Sequence, residues 1–221
     1  MKNSYNLMHL FPVPLYVAKI NPEITDTEFE FVNDRSIYKF IDGQNYASHS
    51  MTILNFPELS RIKDLVYTHL NNYARDIMNI DQKLFPTVSW LNRNPKGTGH
   101  PRHKHVNSFV SGVIYFTDPV PIEFHTSRTV IRSDFYLVPT KFNIYNASDW
   151  WVPIEKNHII LFPSWVEHSV FANTQEEDRI SLSFNSFVNG KLGSLDNSNY
   201  LDLEDLELTS EKYQPNKNQT I

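Results

Sequence analysis

Three short stretches hold the residues best able to do chemistry. The first is His100-Pro101-Arg102-His103-Lys104-His105-Val106-Asn107. Read as a strand, it turns residues two apart the same way, so His103, His105 and Asn107 share a face. Two imidazoles a few ångströms apart can hold adjacent corners of a metal polyhedron. A polar cluster on an exposed turn is the alternative, because His-x-His is a short, unspecific signal. The second stretch, His158 to Val170, is an apolar strand running into the turn Pro163-Ser164-Trp165 and then a strand opened by His168. In a jelly roll such a late strand lies across the barrel from the early one, so His168 would face the His103/His105 pair and complete a three-His set. Taken alone, His168 also suits the edge of a core. The third stretch is Asp178-Arg179-Ile180-Ser181-Leu182-Ser183. Arg179, Ser181 and Ser183 fall on one face of a strand. A guanidinium in a barrel mouth can clamp a carboxylate bidentately, and Ser181 adds a hydroxyl donor. A surface ion pair of Arg179 with Glu176 or Glu177 is the competing arrangement.

These side chains need a rigid frame, and the pattern of apolar residues supplies one. Leu59, Ile62, Val66, Leu70, Tyr73 and Ile77 recur at helical spacing and predict a helix over 57–79, with Pro57 in its first turn. A shorter helix is expected in 25–33. An entering strand is expected in 7–20, edged or bent by Pro12 and Pro14. From residue 86 the grammar is that of strands: 88–92, then a turn at 94–99, then 108–117, 120–125, 128–138, 142–146, 150–153, 158–162, 167–172 and 179–187. This spacing, with Pro, Asn or Asp between strands, predicts a sandwich or barrel. The last part, 191–221, is acidic. It reads as a solvated, disordered tail or, through Leu201-Asp202-Leu203-Glu204-Asp205-Leu206, as a segment docked on a neighbour.

Composition narrows the classes. The 221 residues are 40% hydrophobic and 14% aromatic, enough for one sizeable core. A net charge of −5 argues against duplex nucleic acid as a partner. The absence of cysteine excludes disulfides and thiolate chemistry. No run of about 18 apolar residues predicts a membrane span, and the first residues carry no signal-peptide core. A cytoplasmic protein is the expectation.

The order of the three motifs resembles that of the 2-oxoglutarate oxygenases, in which an early strand gives two metal ligands, a later one gives the third, and an Arg-x-Ser strand binds the distal carboxylate of 2-oxoglutarate. More closely, the chain resembles a family of 2-oxoglutarate/Fe(II) oxygenases known mostly from marine bacteria and their phages. The shared marks are Leu10-Phe11-Pro12-Val13-Pro14-Leu15-Tyr16, Ser89-Trp90-Leu91-Asn92, His103-x-His105-x-Asn107-Ser108, Ser111-Gly112-Val113-x-Tyr115, Leu161-Phe162-Pro163-Ser164-Trp165-x-x-His168-x-Val170 and Arg179-Ile180-Ser181-x-Ser183-Phe184-Asn185. The resemblance runs from about residue 7 to 188. It implies a mainly β fold with supporting helices, a double-stranded β-helix (a jelly-roll, cupin-like barrel) over 1–190. It implies a dioxygenase that hydroxylates a substrate and releases succinate and CO2, with Fe(II), 2-oxoglutarate and ascorbate as cofactors. His103, His105 and His168 would be the metal ligands, and Arg179, Ser181 and Tyr115 would bind 2-oxoglutarate. Trp90, Asn92, Trp150 and Trp151 are candidates for the pocket rim, with packing as their other role. The stretch 117–157 would form the substrate mouth, with Arg128 or Arg132 next in line as the clamp. The partners to expect are a small-molecule or peptidyl substrate and a second copy of the chain.

One departure matters. The superfamily usually carries His-x-Asp, but no Asp or Glu lies between Pro86 and Thr117. The carboxylate corner falls to His105, or to Asn107 if His105 is the first ligand. Two other readings stay open: a metal-containing cupin-like binding module without turnover, and a three-His dioxygenase that does not use 2-oxoglutarate. Arg179-x-Ser181 weighs against both.

Overall fold

The computed structural model describes residues 6–41, 45–126 and 138–204. Among them are the strands β1 (Tyr16–Lys19), β2 (Tyr38–Phe40), β3 (Tyr46–Ser48), β4 (Lys83–Asn94), β5 (His100–His103), β6 (Val110–Tyr115), β7 (Ile122–His125), β8 (Asp149–Val152), β9 (His158–Pro163), β10 (Glu167–Val170), β11 (Arg179–Asn189), β12 (Lys191–Leu192) and β13 (Leu201–Asp202). The helices are α1 (Asp26–Asn33) and α2 (Ser60–Asn72). A seven-stranded sheet has the order β1-β9-β6-β11-β4-β3-β2, and a four-stranded sheet has the order β5-β10-β7-β8. These two sheets make the mainly β, double-stranded β-helix.

Alternation along the long strands gives the larger sheet two unlike faces. Leu91, Ile114, Leu161, Ile180, Leu182 and Phe184 form one core with Ile62, Val66 and Leu70 of α2. Each of those three helix side chains is fully buried, which stabilises by about 1.5–3 kcal/mol apiece. The residues between them on the strands, Trp90, Asn92, Val113, Tyr115, Arg179, Ser181 and Ser183, face the smaller sheet instead. Pairing of β4 with β11 sets Asn94 opposite Arg179, Asn92 opposite Ser181 and Trp90 opposite Ser183. Pairing of β6 with β11 sets Tyr115 beside Ser181. A second, smaller core of Tyr115, Ile122, Ile154, Ile160 and Phe162 closes the barrel.

Several expectations change in detail. The helix over 57–79 is a 3₁₀ turn at Pro57–Leu59, then α2, then a π turn at Tyr73–Ile77. The strand over 7–20 shrinks to β1, because Pro12 and Pro14 lack the N–H that a ladder needs. Residues 142–146 form turns rather than a strand, since the Asn143 side chain accepts from Tyr145 N–H at 2.8 Å and Asn146 closes back on Asn143 N–H. The strand over 128–138, with Arg128 and Arg132, falls almost wholly outside the described residues. At the C-terminal end, β12 and β13 pair as a hairpin, and Leu192 and Leu203 pack on the main core. No helix of the described residues is long and apolar enough to cross a membrane.

Candidate active site

A cavity opens between the two sheets. The smaller sheet contributes His100, His103, Ile122, His168 and Val170, and His105 follows β5. The larger sheet contributes the inward residues of β4, β6 and β11.

His103, His105 and His168 come together, with one ring nitrogen of each within 4.8 Å of the others. The route differs from the strand reading. β5 ends at His103, so His105 stands on the following turn, where its N–H donates to Ser164 O at 3.0 Å. Its place depends on that turn and not on strand parity. Nor does His168 lie across the barrel: β10 is the neighbour of β5, and His168 is the direct cross-strand partner of His103. Asn107, the alternative corner, sits on a positive-φ turn (54°) and does not line the cavity.

Hydrogen bonds fix how these imidazoles point. His168 Nδ1 lies 3.1 Å from Val166 O, and His103 Nδ1 lies 2.8 Å from Pro101 O. A carbonyl can only accept, so the protons sit on Nδ1 and the lone pairs fall on Nε2. His105 Nε2 and His168 Nε2 are 3.4 Å apart. Two ligands at about 2.0–2.1 Å from one ion stand roughly 2.8–3.4 Å apart between octahedral and tetrahedral angles, and the observed 3.4 Å lies at the tetrahedral end, so the donor set fits a divalent cation. Burial, with the neighbouring His103 adding to it, lowers the pKa of His105 to about 4 and that of His168 to about 3. Both rings are therefore neutral at pH 7, the form that binds metal.

Beside the imidazoles lies Arg179, 4% exposed. Its NH2 donates to Asn94 Oδ1 at 2.6 Å, and its Nε has no partner. The surface ion pair does not form. Glu176 pairs with Lys96, and Asp178 is held by Arg93 at 3.0 Å and Arg35 at 2.8 Å. Among the described residues no carboxylate neutralises Arg179, and burial lowers its pKa. Ser181 and Tyr115 line the cavity next to it with hydroxyls that bond to no described residue. Burial raises the Tyr115 pKa to about 12, with Arg179 opposing. Its hydroxyl thus remains a donor. Trp90 and Asn92 are part of the wall: Trp90 Nε1 donates to Asn92 Oδ1 at 3.1 Å, and Asn92 Nδ2 donates to Ser183 Oγ at 2.9 Å. Trp150 and Trp151 are on β8 and do not line it; Trp151 is 62% exposed.

Sequence reasoning missed His100 and Asn94. His100 and His103 are three apart, which on a regular strand puts them on opposite faces. The β5–β10 ladder is irregular: His103 pairs with His168 and His100 with Val170, so three steps on β5 match two on β10. That bulge turns both imidazoles into the cavity. Gly99 makes the close approach possible, since a Cβ there would sit 2.4 Å from Val170 O.

Residues 88–185 match the sequence model of a family described as "Putative 2OG-Fe(II) oxygenase". No curated protein matches the chain. Among solved structures, HygX from Streptomyces hygroscopicus, with nickel, 2-oxoglutarate and hygromycin B bound, is 13% identical at a TM-score of 0.52, over 79% of this chain and 82% of that one. A Pseudomonas putida prolyl-4-hydroxylase is 11% identical at a TM-score of 0.51, over 78% and 92%. The 2-oxoglutarate-dependent epimerase SnoN of nogalamycin biosynthesis is 10% identical at a TM-score of 0.55, over 79% and 78%. At such identities the structures share a fold. The matched segment contains every residue that lines the cavity, and over that segment the chain is similar to this family of 2OG-Fe(II) oxygenases.

Proposed function

We propose that the chain is a non-haem Fe(II), 2-oxoglutarate-dependent dioxygenase whose iron is held by His103, His105 and His168. Arg179, Ser181 and Tyr115 bind the distal carboxylate of 2-oxoglutarate. The observation that carries this reading is Arg179: a buried guanidinium with an unpartnered Nε and no acid beside it among the described residues, opening into the same cavity as three convergent imidazoles. A buried charge is costly unless it is paired, and a ligand carboxylate supplies the pair.

When bound, Fe(II) supplies the oxygen chemistry: O2 and 2-oxoglutarate are consumed, a substrate C–H becomes C–OH, and succinate and CO2 leave. The chain's own residues do the binding and orienting. Val166 O and Pro101 O hold the His168 and His103 rings by their Nδ1 protons. Asn94 holds the Arg179 fork in plane. Ile122, Phe162 and Val170 give the cavity a dry wall. The substrate is a small molecule or a peptidyl side chain, as the antibiotic-bound and prolyl-hydroxylating structural neighbours suggest.

The test is calorimetric titration of the metal-loaded protein with 2-oxoglutarate, followed by succinate release with Fe(II), ascorbate and air. Binding plus slow release in the absence of substrate is expected. A metal-loaded protein that does not bind 2-oxoglutarate would overturn the reading. The absence of a carboxylate among the three imidazoles favours a three-His dioxygenase without 2-oxoglutarate as the second reading; that outcome would leave it and the metal-containing binding module without turnover.

A further inference from the structure

Asn94 is wholly buried and joins Arg179 to a fourth histidine. Its Oδ1 accepts from Arg179 NH2 at 2.6 Å; its Nδ2 contacts Asn45 Oδ1 and lies 3.3 Å from His100 Nε2. Asn45 Nδ2 in turn donates to Gly99 O at 2.8 Å. The ends of this chain fix its direction. Arg179 can only donate, and the Gly99 carbonyl can only accept. Rotating Asn94 would set an amide N–H against the guanidinium, and rotating Asn45 would set a carbonyl against a carbonyl. Asn94 Nδ2 must therefore donate to His100 Nε2, which must carry a lone pair. The His100 proton is left on Nδ1, with no acceptor among the described residues, on a ring that lines the cavity beside Arg179.

We infer that His100 donates its Nδ1–H to the same carboxylate that Arg179 binds, with Asn94 as the positioning residue that sets the tautomer. The inference rests on the 2-oxoglutarate reading above. It gives His100 a role distinct from the other three histidines: a co-substrate donor rather than a metal ligand. A neutral imidazole suits the place, since it adds a hydrogen bond to the anion without a second buried cation beside the guanidinium.

Two variants separate donation from propping. In His100→Asn the amide nitrogen falls near the position of Nδ1 and the group facing Asn94 is lost. In His100→Gln a polar atom falls near Nε2 and the Nδ1–H is lost. With manganese-loaded protein under argon, calorimetry should give 2-oxoglutarate affinity within about threefold of wild type for His100→Asn and about tenfold weaker for His100→Gln, the scale of one hydrogen bond to a charged group. Affinity for 2-oxopentanoate, which lacks the distal carboxylate, should be unchanged by either variant. In the metal-free protein, nitrogen-15 spectra of the His100 ring should show the proton on Nδ1. A proton on Nε2, the opposite order of the variants, or equal losses for both 2-oxo acids would overturn the inference while leaving Arg179 as the clamp. Failure of the wild type to bind 2-oxoglutarate would overturn the parent reading and this inference together.

Discussion

The four-stranded sheet carries a cluster of titratable groups on each face, and the two are built from similar parts. Inside are His103, His105 and His168; outside are Glu123, His125 and Asp149. On β10 they are one residue apart, His168 turning in and Ser169 out. The outer groups satisfy one another. Asp149 Oδ1 lies 2.6 Å from His125 Nδ1, and His125 Nε2 lies 2.8 Å from Ser169 Oγ. Ser169 Oγ lies 3.1 Å from Glu123, whose other oxygen accepts from Trp151 Nε1 at 2.7 Å. Hydrogen bonds from Ser148 and His125 lower the Asp149 pKa. The inner groups do the reverse: the Nδ1 protons of His103 and His168 are taken by carbonyls, while Nε2 of His168 lies 3.4 Å from Nε2 of His105. Proximity of ligand-type residues is common to both faces. Unspent lone pairs, next to an unspent guanidinium, occur on one.

The largest effect expected from this difference is in metal binding. His168→Ala should abolish tight Fe(II) or Mn(II) binding, by more than the roughly 10–100-fold lost with an outer-shell partner. His125→Ala should leave stoichiometry and affinity unchanged. Metal analysis after gel filtration checks both, and equal losses would erase the distinction between the faces.

Next is Arg179→Met. It should weaken 2-oxoglutarate binding by more than a hundredfold, from the about 3–5 kcal/mol that loss of a buried charge pair costs. In ligand-free protein the sign should reverse. With no acid beside it among the described residues, the charge is a burden to the fold, and an apolar replacement of similar length is expected to be neutral or to stabilise by about 1–4 kcal/mol. Chemical denaturation with and without 2-oxoglutarate checks the reversal. A variant destabilised in both conditions would mean that Arg179 is structural.

A smaller effect concerns acid. Burial depresses the pKa of His100, His105 and His168 to about 4, 4 and 3. The unfolded chain, with histidines near 6.5, binds more protons between these values. The stability of the metal-free protein is therefore full above about pH 6.5 and falls as pH drops toward 4. His168→Leu should flatten that slope, which urea unfolding at a series of pH values would measure. An unchanged slope would place the buried charge cost elsewhere.

The sequence exposed the inward residues of the long strands because period-two alternation is local: Arg179, Ser181 and Ser183 on one strand, Trp90 and Asn92 on another, each following from its own parity. It also exposed α2, whose apolar stripe has one period. What it hid depends on pairing. That β10 lies beside β5 and not across from it is a property of the sheet order. The bulge that turns His100 inward is a mismatch between two strands and leaves no mark on either alone. Asn94 looked like a turn residue, because its partners Asn45 and Arg179 are 49 and 85 positions away. His105 reached its expected neighbours by a different route, a turn held by the Ser164 carbonyl.

The smallest predicted effect tests the outer face itself. Asp149 is part exposed, at 41% for its side chain, and its pairing with His125 is near the surface. Such pairs are worth about 0.2–1 kcal/mol. Asp149→Asn keeps an oxygen that accepts the His125 Nδ1 proton while removing the charge. The expected loss is under about 1 kcal/mol, or a fall in Tm of about 2–4 °C at most for a chain of this size. Metal content should stay at one ion per chain in wild type and variant alike, since every outer donor already has a partner and an ion would have to displace those bonds. A wild type that holds two ions, one of them lost in Asp149→Asn, would show that internal hydrogen bonding does not exclude a metal. Unspent lone pairs would then no longer separate the two faces of the sheet.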